Sequence, residues 1–198
     1  MDRRTCVPIH IGDPFRIDDF SRMDTAIIHI APLIQGEAPD EFVRELASWG
    51  RLGLDAQGFL RFHRNGTLRL ESNDRFETVL GLAEFLKLDH AEAETLTGRK
   101  DPMAALDRIQ EMGVPEVVLT HAEGVIARRD REAVEAPWTS RSLVGRTGRG
   151  DTCMAAYLGC RSLGLGIEEA LPVAAEVTSR KMEHAGPFSL DLASLDRV

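Results

Sequence analysis

The chain has few cysteines, and their positions exclude the usual roles of cysteine in structure. Cys6, Cys153 and Cys160 form no CxxC pair, and the six histidines add no spacing typical of a zinc site. Cys153 and Cys160 lie on one predicted helix, which places their Cα atoms about 10 Å apart, beyond the reach of a disulfide. We therefore expect no structural disulfide and interpret these cysteines as small core residues.

Long apolar runs and an excess of positive charge are also lacking. No apolar stretch approaches the length needed to cross a bilayer, and residues 1–8 lack the apolar core of a signal peptide. The formal net charge of -8 argues against nucleic acid or an anionic membrane as partner, because proteins that bind these concentrate Lys and Arg on one face. The expected location is a reducing cytoplasm.

The composition of the chain is that of an ordinary globular protein. Apolar residues make up 43% and charged residues 28% of the 198 residues, which is enough for a full hydrophobic core. No internal repeat, low-complexity tract or linker divides the sequence. We predict a single domain over residues 1–198.

Short apolar runs alternate with segments of helical periodicity along the chain. Predicted strands cover residues 26–31, 52–55, 85–88 and 117–120, with an antiparallel extension at residues 125–127 and 133–138. Predicted helices cover residues 40–49, 76–82, 91–96, 102–112, 151–163 and 167–182, and a hairpin is predicted around Asn65 and Gly66. Strands separated by helices of this length indicate a three-layer α/β fold with a mainly parallel sheet flanked by helices.

A glycine-rich turn runs directly into the helix predicted at residues 151–163. Glycines at 148 and 150 let a ligand approach the backbone closely, and the first N–H groups of a helix favour an anion. Asp151 at this junction is a poor neighbour for phosphate unless it takes a proton from an attacking hydroxyl, which makes it a candidate general base. Arg141, Arg146 and Arg149 surround the turn, either as ligands of an anion or as solvated surface.

Two common nucleotide motifs are absent. The sequence contains no GxxxxGK[ST], and residues 145–150 do not match the GxGxxG spacing of a dinucleotide fold. By itself, the turn at residues 148–151 is equally well explained as a helix entry in which Asp151 caps the helix. The residues alone leave both interpretations open.

A resemblance to a known family favours the functional interpretation. Residues 147–156, TGRGDTCMAA, resemble the second signature of the ribokinase-like (PfkB) sugar kinases, which has the form DTxGxGDxFxA. Residues 87–98, KLDHAEAETLTG, are similar to that family's KxNxxExxxLxG segment. Residues 117–120 resemble its strand before a TxGxxG turn, and residues 185–187 resemble its end. The resemblance extends over residues 24–187 and implies the ribokinase-like α/β fold.

The resemblance implies an ATP-dependent kinase that phosphorylates a hydroxyl of a sugar or related small alcohol. By this resemblance, Asp151 would deprotonate the substrate hydroxyl. The N–H groups of Gly148, Arg149 and Gly150 would form an anion hole for the transferring phosphoryl group, and Thr147 would belong to the cofactor-binding residues.

Further cofactor contacts follow from the same resemblance. Thr120 and Gly124 would lie near the nucleotide, and Lys87 would contribute to cofactor binding. Glu92, with Asp89 where the family usually has Asn, would act through water on Mg²⁺ and the nucleotide phosphates. From the residues alone, Asp89 and Glu92 also fit a capping box at the start of a helix.

The chain departs from the family pattern at several points. Gly145 replaces the leading Asp of DTxGxGD, which puts any monovalent-cation site near this loop in doubt, and Arg149 replaces a small residue. The TxGxxG turn is shortened to residues 120–124. Nothing in residues 1–20 resembles the family's Gly-rich first strand, substrate-binding carboxylates and β lid, so we expect an N-terminally shortened form.

Two alternatives to an active kinase remain open at this point. One is a module that binds a nucleotide or phosphate without catalysis, and the other is a subunit of a kinase-like fold that completes its sheet as a homodimer. The sequence predicts a small-molecule partner for the active kinase and for the binding module. It predicts no nucleic-acid or membrane partner in any of the three cases.

Overall fold

The computed structural model of the chain describes residues 7–22, 24–25 and 27–189. Internal contacts divide the chain into two compact units, residues 1–115 and 116–198. Each unit contains its own strands, helices and buried apolar side chains. The prediction of a single domain over residues 1–198 stays a prediction.

The first unit is built around parallel strands. Its elements in chain order are β1 (Ile27–Ile30), α1 (Asp40–Ala47), β2 (Arg51–Asp55), α2 (Gln57–Leu60), β3 (Arg61–Arg64), β4 (Thr67–Leu70), α3 (Asp74–Leu80), β5 (Phe85–Asp89), α4 (His90–Thr97) and α5 (Pro102–Glu111). Strand β1 pairs parallel to β2, and β2 pairs parallel to β5, with Asp55 opposite Lys87. Strands β2 and β5 are almost entirely buried, as expected for apolar runs covered on both faces.

The second unit contains an antiparallel meander and two long helices. Its elements are β6 (Glu116–Thr120), β7 (Gly124–Arg129), β8 (Glu132–Pro137), α6 (Arg149–Ser162) and α7 (Ile167–Met182). Strand β7 pairs antiparallel with both β6 and β8, which confirms the predicted antiparallel extension. Helix α7 buries small and apolar side chains such as Ala170, Ala174 and Val177 on one side.

Most element boundaries follow the sequence pattern, with a few differences. The predicted hairpin is present as β3 and β4, where Asn65 and Gly66 both have positive φ as the two-residue turn requires. Helix α2 was not predicted, because residues 57–60 show no helical periodicity over so short a stretch. Helix α1 ends at Ala47, two residues before the predicted end, and its N-cap is Pro39. Cys153 and Cys160 are free thiols, whereas Cys6 lies outside the described residues.

A buried carboxylate joins three elements of the second unit. Glu116 is fully buried, and its Oε1 accepts hydrogen bonds from the Tyr157 hydroxyl at 2.6 Å and from Arg161 Nε at 2.8 Å. Its Oε2 accepts from Arg161 Nη2 at 3.0 Å and from Arg129 Nη1 at 3.1 Å. Burial and the adjacent carboxylate raise the pKa of the Tyr157 hydroxyl, which therefore remains a donor. All acceptor positions of Glu116 are thus used.

This network predicts that Glu116 is required for stability. We expect Glu116→Gln to lower the free energy of unfolding by about 3 kcal/mol, because it leaves two buried or half-buried guanidinium groups without their counter-charge. Urea denaturation followed by circular dichroism measures the change. Glu132→Gln, at an exposed position of β8, is the matched control and should stay within about 0.5 kcal/mol of the original protein. Equal effects of the two substitutions would contradict the role given to Glu116.

Candidate active site

Helix α6 begins at a glycine that takes a conformation unfavourable for other residues. Gly148 is the N-cap, with φ 78° and ψ 11°, in the left-handed region. Its carbonyl oxygen accepts the first helical hydrogen bond, from the N–H of Thr152 at 3.0 Å. Gly148 therefore turns the chain sharply into the helix and brings Asp151 into the first turn.

The first N–H groups of α6 are available to a ligand. Among the described residues, the N–H groups of Gly148, Gly150 and Asp151 donate no hydrogen bond. The N–H of Arg149 donates to the carbonyl of Arg146 at 3.3 Å. Unpaired N–H groups at a helix start carry partial positive charge, so this turn favours an anion.

A cavity of about 500 Å³ opens beside this turn. Its volume lies within the range of small-molecule sites, about 300–1,000 Å³. Gly148, the exposed Asp151 and Thr147 line it from the start of α6, and Ala185 and Gly186 line it from the segment after α7. The carboxylate proposed as a base therefore shares one cavity with the glycine turn.

A buried lysine of α7 lies under the turn. Lys181 is only 3% exposed, and its ammonium donates hydrogen bonds to the carbonyl oxygens of Gly145, at 2.6 Å, and of Thr147. Lys181 also lines the cavity that contains Asp151. The turn is thus attached to the last turn of α7 through a charged group.

Gly145 packs directly against the end of α7. Its N–H donates to the carbonyl of Met182 at 2.8 Å. A Cβ at this position would overlap the carbonyl group of His184 and would lie 2.5 Å from that carbonyl's carbon atom. The site therefore has no room for the Asp that the resembled signature carries here, and the backbone conformation depends on glycine.

The first unit contains a separate cluster of charged side chains at the ends of β2 and β5. Lys87 Nζ lies 2.9 Å from Asp55 Oδ2, and both side chains are buried. Asp89 and Glu92 form a capping box: Asp89 Oδ1 accepts from the Glu92 N–H, and Glu92 Oε2 accepts from the Asp89 N–H. Burial raises the pKa of Glu92 to about 7, against the opposing effect of Lys87. The capping-box interpretation of this segment is confirmed.

The carboxylates of this cluster are partly used by the fold. Asp89 and Glu92 offer carboxylate oxygens, the ligands that Mg²⁺ prefers, but one oxygen of each is used in the capping box. Within residues 7–22, 24–25 and 27–189, no group of three or more His, Cys, Asp or Glu side chains is arranged to hold a metal ion. The water-mediated role of Asp89 and Glu92 toward Mg²⁺ stays a prediction.

Thr120 and Gly124 lie inside the sheet of the second unit. Thr120 is 1% exposed, and a Cβ at Gly124 would overlap the carbonyl of Ala136 on β8. The turn between them is closed by a hydrogen bond from the His121 N–H to the Gly124 carbonyl at 2.9 Å. Trp138 Nε1 donates to the His121 carbonyl at 3.0 Å, at the start of the same turn. The role of Thr120 and Gly124 toward a nucleotide stays a prediction.

Three arginine side chains surround the glycine turn, as the sequence indicated. The guanidinium of Arg149 lies 5.6 Å from the centre of the Trp138 ring, a cation–π distance. Arg141 and Arg146 are exposed. These side chains add positive charge to the surroundings of the turn, in a chain whose net charge is negative.

The structure brings together some of the predicted site residues and adds one. Asp151, Gly148 and Thr147 line one cavity, and Arg149 and Gly150 follow in the first turn of α6. Lys87, Asp89 and Glu92 form their own cluster in the first unit, as described above. Lys181 was missed. A lysine on the buried side of α7, one turn after Thr178, is the signal that identifies it.

No helix in the described part of the chain is long and apolar enough to cross a membrane.

Comparisons with known proteins identify the family to which this geometry corresponds. The model of the pfkB family carbohydrate kinases matches residues 23–190. A comparison with curated proteins found no match.

Solved structures share the fold. The chain is 39% identical to a pyrophosphate-dependent kinase in the ribokinase family solved with a pyrophosphate analog and myo-inositol, with a TM-score of 0.89 over 94% of this chain and 68% of that one. A sulfate complex of a pyrophosphate-dependent kinase in the ribokinase family matches with the same identity and TM-score, over 95% and 68%. Ribokinase from Arabidopsis thaliana, solved with ribose and ATP, matches at 20% identity and TM-score 0.67, over 82% and 51%. The predicted ribokinase-like α/β fold, with a mainly parallel sheet flanked by helices, is confirmed.

The packing of Gly145 predicts a large difference between two glycine substitutions in this unit. Gly145→Ala should lower the free energy of unfolding by more than about 2 kcal/mol, because the new methyl group must displace the end of α7. Gly159→Ala, in the exposed middle of α6 with no atom near its Cβ position, should raise it by about 0.5–1 kcal/mol. Chemical denaturation of both variants tests this. A Gly145→Ala protein as stable as Gly159→Ala would contradict the described packing.

Proposed function

Because the chain belongs to the pfkB family of carbohydrate kinases, we propose that it transfers a phosphoryl group to a hydroxyl of a sugar or related small alcohol. The observation that carries this proposal is the shared cavity of Asp151 and the glycine turn. An exposed carboxylate beside unpaired N–H groups suits a reaction in which one group accepts a proton while the others stabilise a phosphoryl group.

In the proposed reaction, the substrate hydroxyl attacks the terminal phosphorus of the donor. A new P–O bond forms as the bond to the donor's bridging oxygen breaks, and Asp151 accepts the hydroxyl proton. The N–H groups of Gly148 and Gly150 donate to the phosphoryl oxygens as negative charge develops on them. These donors are held by the fold before the reaction, so they need little reorganisation.

Asp151→Asn should lower phosphoryl transfer by on the order of 10²-fold or more, because the amide cannot accept the proton. Transfer is measured across a panel of sugars, cyclitols and nucleosides with labelled donor. Asp130→Asn, at an exposed turn between β7 and β8, is the matched control and should retain full activity. Equal activity of the two variants would remove Asp151 from the role of base.

The resemblance implies ATP as donor. Thr120 and Gly124, implied to lie near a nucleotide, are buried in the sheet, whereas Ala122 and Glu123 in the turn between them are exposed. The segment after Trp138 is also tied to α7, since the Thr139 N–H donates to Ser179 Oγ at 2.9 Å and the Thr139 hydroxyl donates to Glu176. A cavity of about 430 Å³ lined by Thr139, Glu176 and Ser179 lies beside this segment, so these contacts exclude neither donor.

The similar structures favour pyrophosphate over ATP as the donor. Two solved structures of pyrophosphate-dependent kinases in the ribokinase family are 39% identical to the chain over nearly all of its length. We therefore propose pyrophosphate as the donor in preference to ATP, and a cyclitol or sugar as the acceptor. Mg²⁺ would neutralise charge on the donor phosphates when bound.

The donor is identified by comparing initial rates with pyrophosphate and ATP at equal concentration. We expect transfer from pyrophosphate at a rate at least about tenfold above that from ATP, a difference of about 1.4 kcal/mol in activation free energy. Faster transfer from ATP would restore the nucleotide as donor. Calorimetric binding of pyrophosphate without turnover on any acceptor would instead support the alternative function, a phosphate-binding module without catalysis.

A further inference from the structure

The ammonium of Lys181 is a buried positive charge beside the candidate cavity, and none of the proposed steps assigns it a role. We propose that it serves as an internal cation that holds the turn at residues 145–148 in its anion-binding shape, so that this site needs no monovalent metal ion. Lys181 is in this sense a positioning residue. The inference rests on the proposed function only in taking this turn as the anion-binding site.

The arrangement of acceptors around Lys181 is that of a cation site built from backbone. The carbonyl oxygens of Gly145 and Thr147 converge on one point, and the ammonium occupies that point. An ammonium at 3% exposure is costly unless its donors are paired. Backbone carbonyls pair two of its three donors here, and no carboxylate lies within ion-pair distance among the described residues. The positive charge of Lys181 therefore remains unneutralised by a direct partner.

The geometry of the peptide bond connects this contact to the anion site. The C=O of Thr147 and the N–H of Gly148 belong to one planar trans peptide group and point in opposite directions. Because the ammonium fixes the Thr147 carbonyl, it also fixes the direction of the Gly148 N–H. Loss of the ammonium would leave two carbonyls facing each other without a donor, and the turn would rotate to satisfy them.

Gly145 explains why a lysine can occupy this point. The packing of Gly145 against His184 excludes a side chain, so no carboxylate is available from this position to hold a metal ion. Lys181 reaches the two carbonyls from the last turn of α7. Helix α6 separates this lysine from the turn along the chain. A covalently attached cation of this kind is always present, whereas a free ion must bind from solution.

The first test needs no substitution. Pyrophosphate affinity of the full chain is measured by calorimetry in buffers of equal ionic strength that contain sodium, potassium or tetramethylammonium chloride. We expect the same affinity in all three, because the internal cation is present in each. A rise of about tenfold or more in potassium, equivalent to about 1.4 kcal/mol, would overturn the proposal, as would the absence of pyrophosphate binding in every buffer.

The second test replaces the cation. Lys181→Ala removes the ammonium and leaves space for an ion, so we expect pyrophosphate affinity to fall by at least about tenfold and to be restored by potassium or methylammonium but not by tetramethylammonium. Lys100→Met, at an exposed position, should bind as the original protein does in all buffers. Unchanged affinity in Lys181→Ala, or a loss that no small cation restores, would overturn the proposal.

These readouts separate the inference from the proposed function. If the protein binds pyrophosphate in a Lys181-dependent manner but transfers no phosphoryl group, the function fails and the inference stands. If transfer occurs and Lys181→Ala binds pyrophosphate normally, the function stands and the inference fails. Should Lys181→Ala fail to fold, the comparison of cations in the original protein decides.

Discussion

The attachment of the glycine turn to the end of α7 is the contact on which the candidate active site depends. Three backbone groups of the turn carry it: the N–H of Gly145 donates to the Met182 carbonyl, and the carbonyls of Gly145 and Thr147 accept from the Lys181 ammonium. Only with the turn fixed in this way does α6 begin at Gly148, with its first N–H groups unpaired and Asp151 in the cavity. The geometry of the site is therefore set by backbone groups of the turn together with the Lys181 ammonium that holds them.

A second constraint holds the far end of the same helix. Tyr157 and Arg161, two and three turns into α6, both donate to the buried carboxylate of Glu116 on β6. Helix α6 is thus anchored to the sheet of its own unit at one end while its first turn stays open to a ligand at the other. A helix anchored at one end and open at the other suits a phosphoryl-transfer site, because the N–H donors must be rigid before charge develops on the phosphoryl oxygens.

Much of this arrangement could be predicted from the sequence because it rests on local rules. The glycines at 148 and 150, followed by an apolar helix, identify a turn that exposes N–H groups, and the Asn65-Gly66 pair identifies a hairpin. Asp89 and Glu92 have the spacing of a capping box, which the structure contains. In each case the residues that determine the geometry are neighbours in the chain.

Features that join distant segments could not be predicted in the same way. Lys181 contacts residues 34 and 36 positions earlier, and the sequence contains no motif that pairs them. The burial of Thr120 and Gly124 depends on the pairing of β7 with β6 and β8, so a motif that places them near a nucleotide gives no information about their exposure. Helix α2 is too short for its periodicity to be visible.

The central claim is that the first N–H groups of α6 bind the transferable phosphoryl group. Backbone amide NMR during a titration with pyrophosphate tests it most directly. The resonances of Gly148, Gly150 and Asp151 should move together along one binding curve, while that of Gly159 in the middle of the same helix stays fixed. Saturable binding of pyrophosphate that leaves these three resonances unchanged would contradict the claim and place the anion elsewhere.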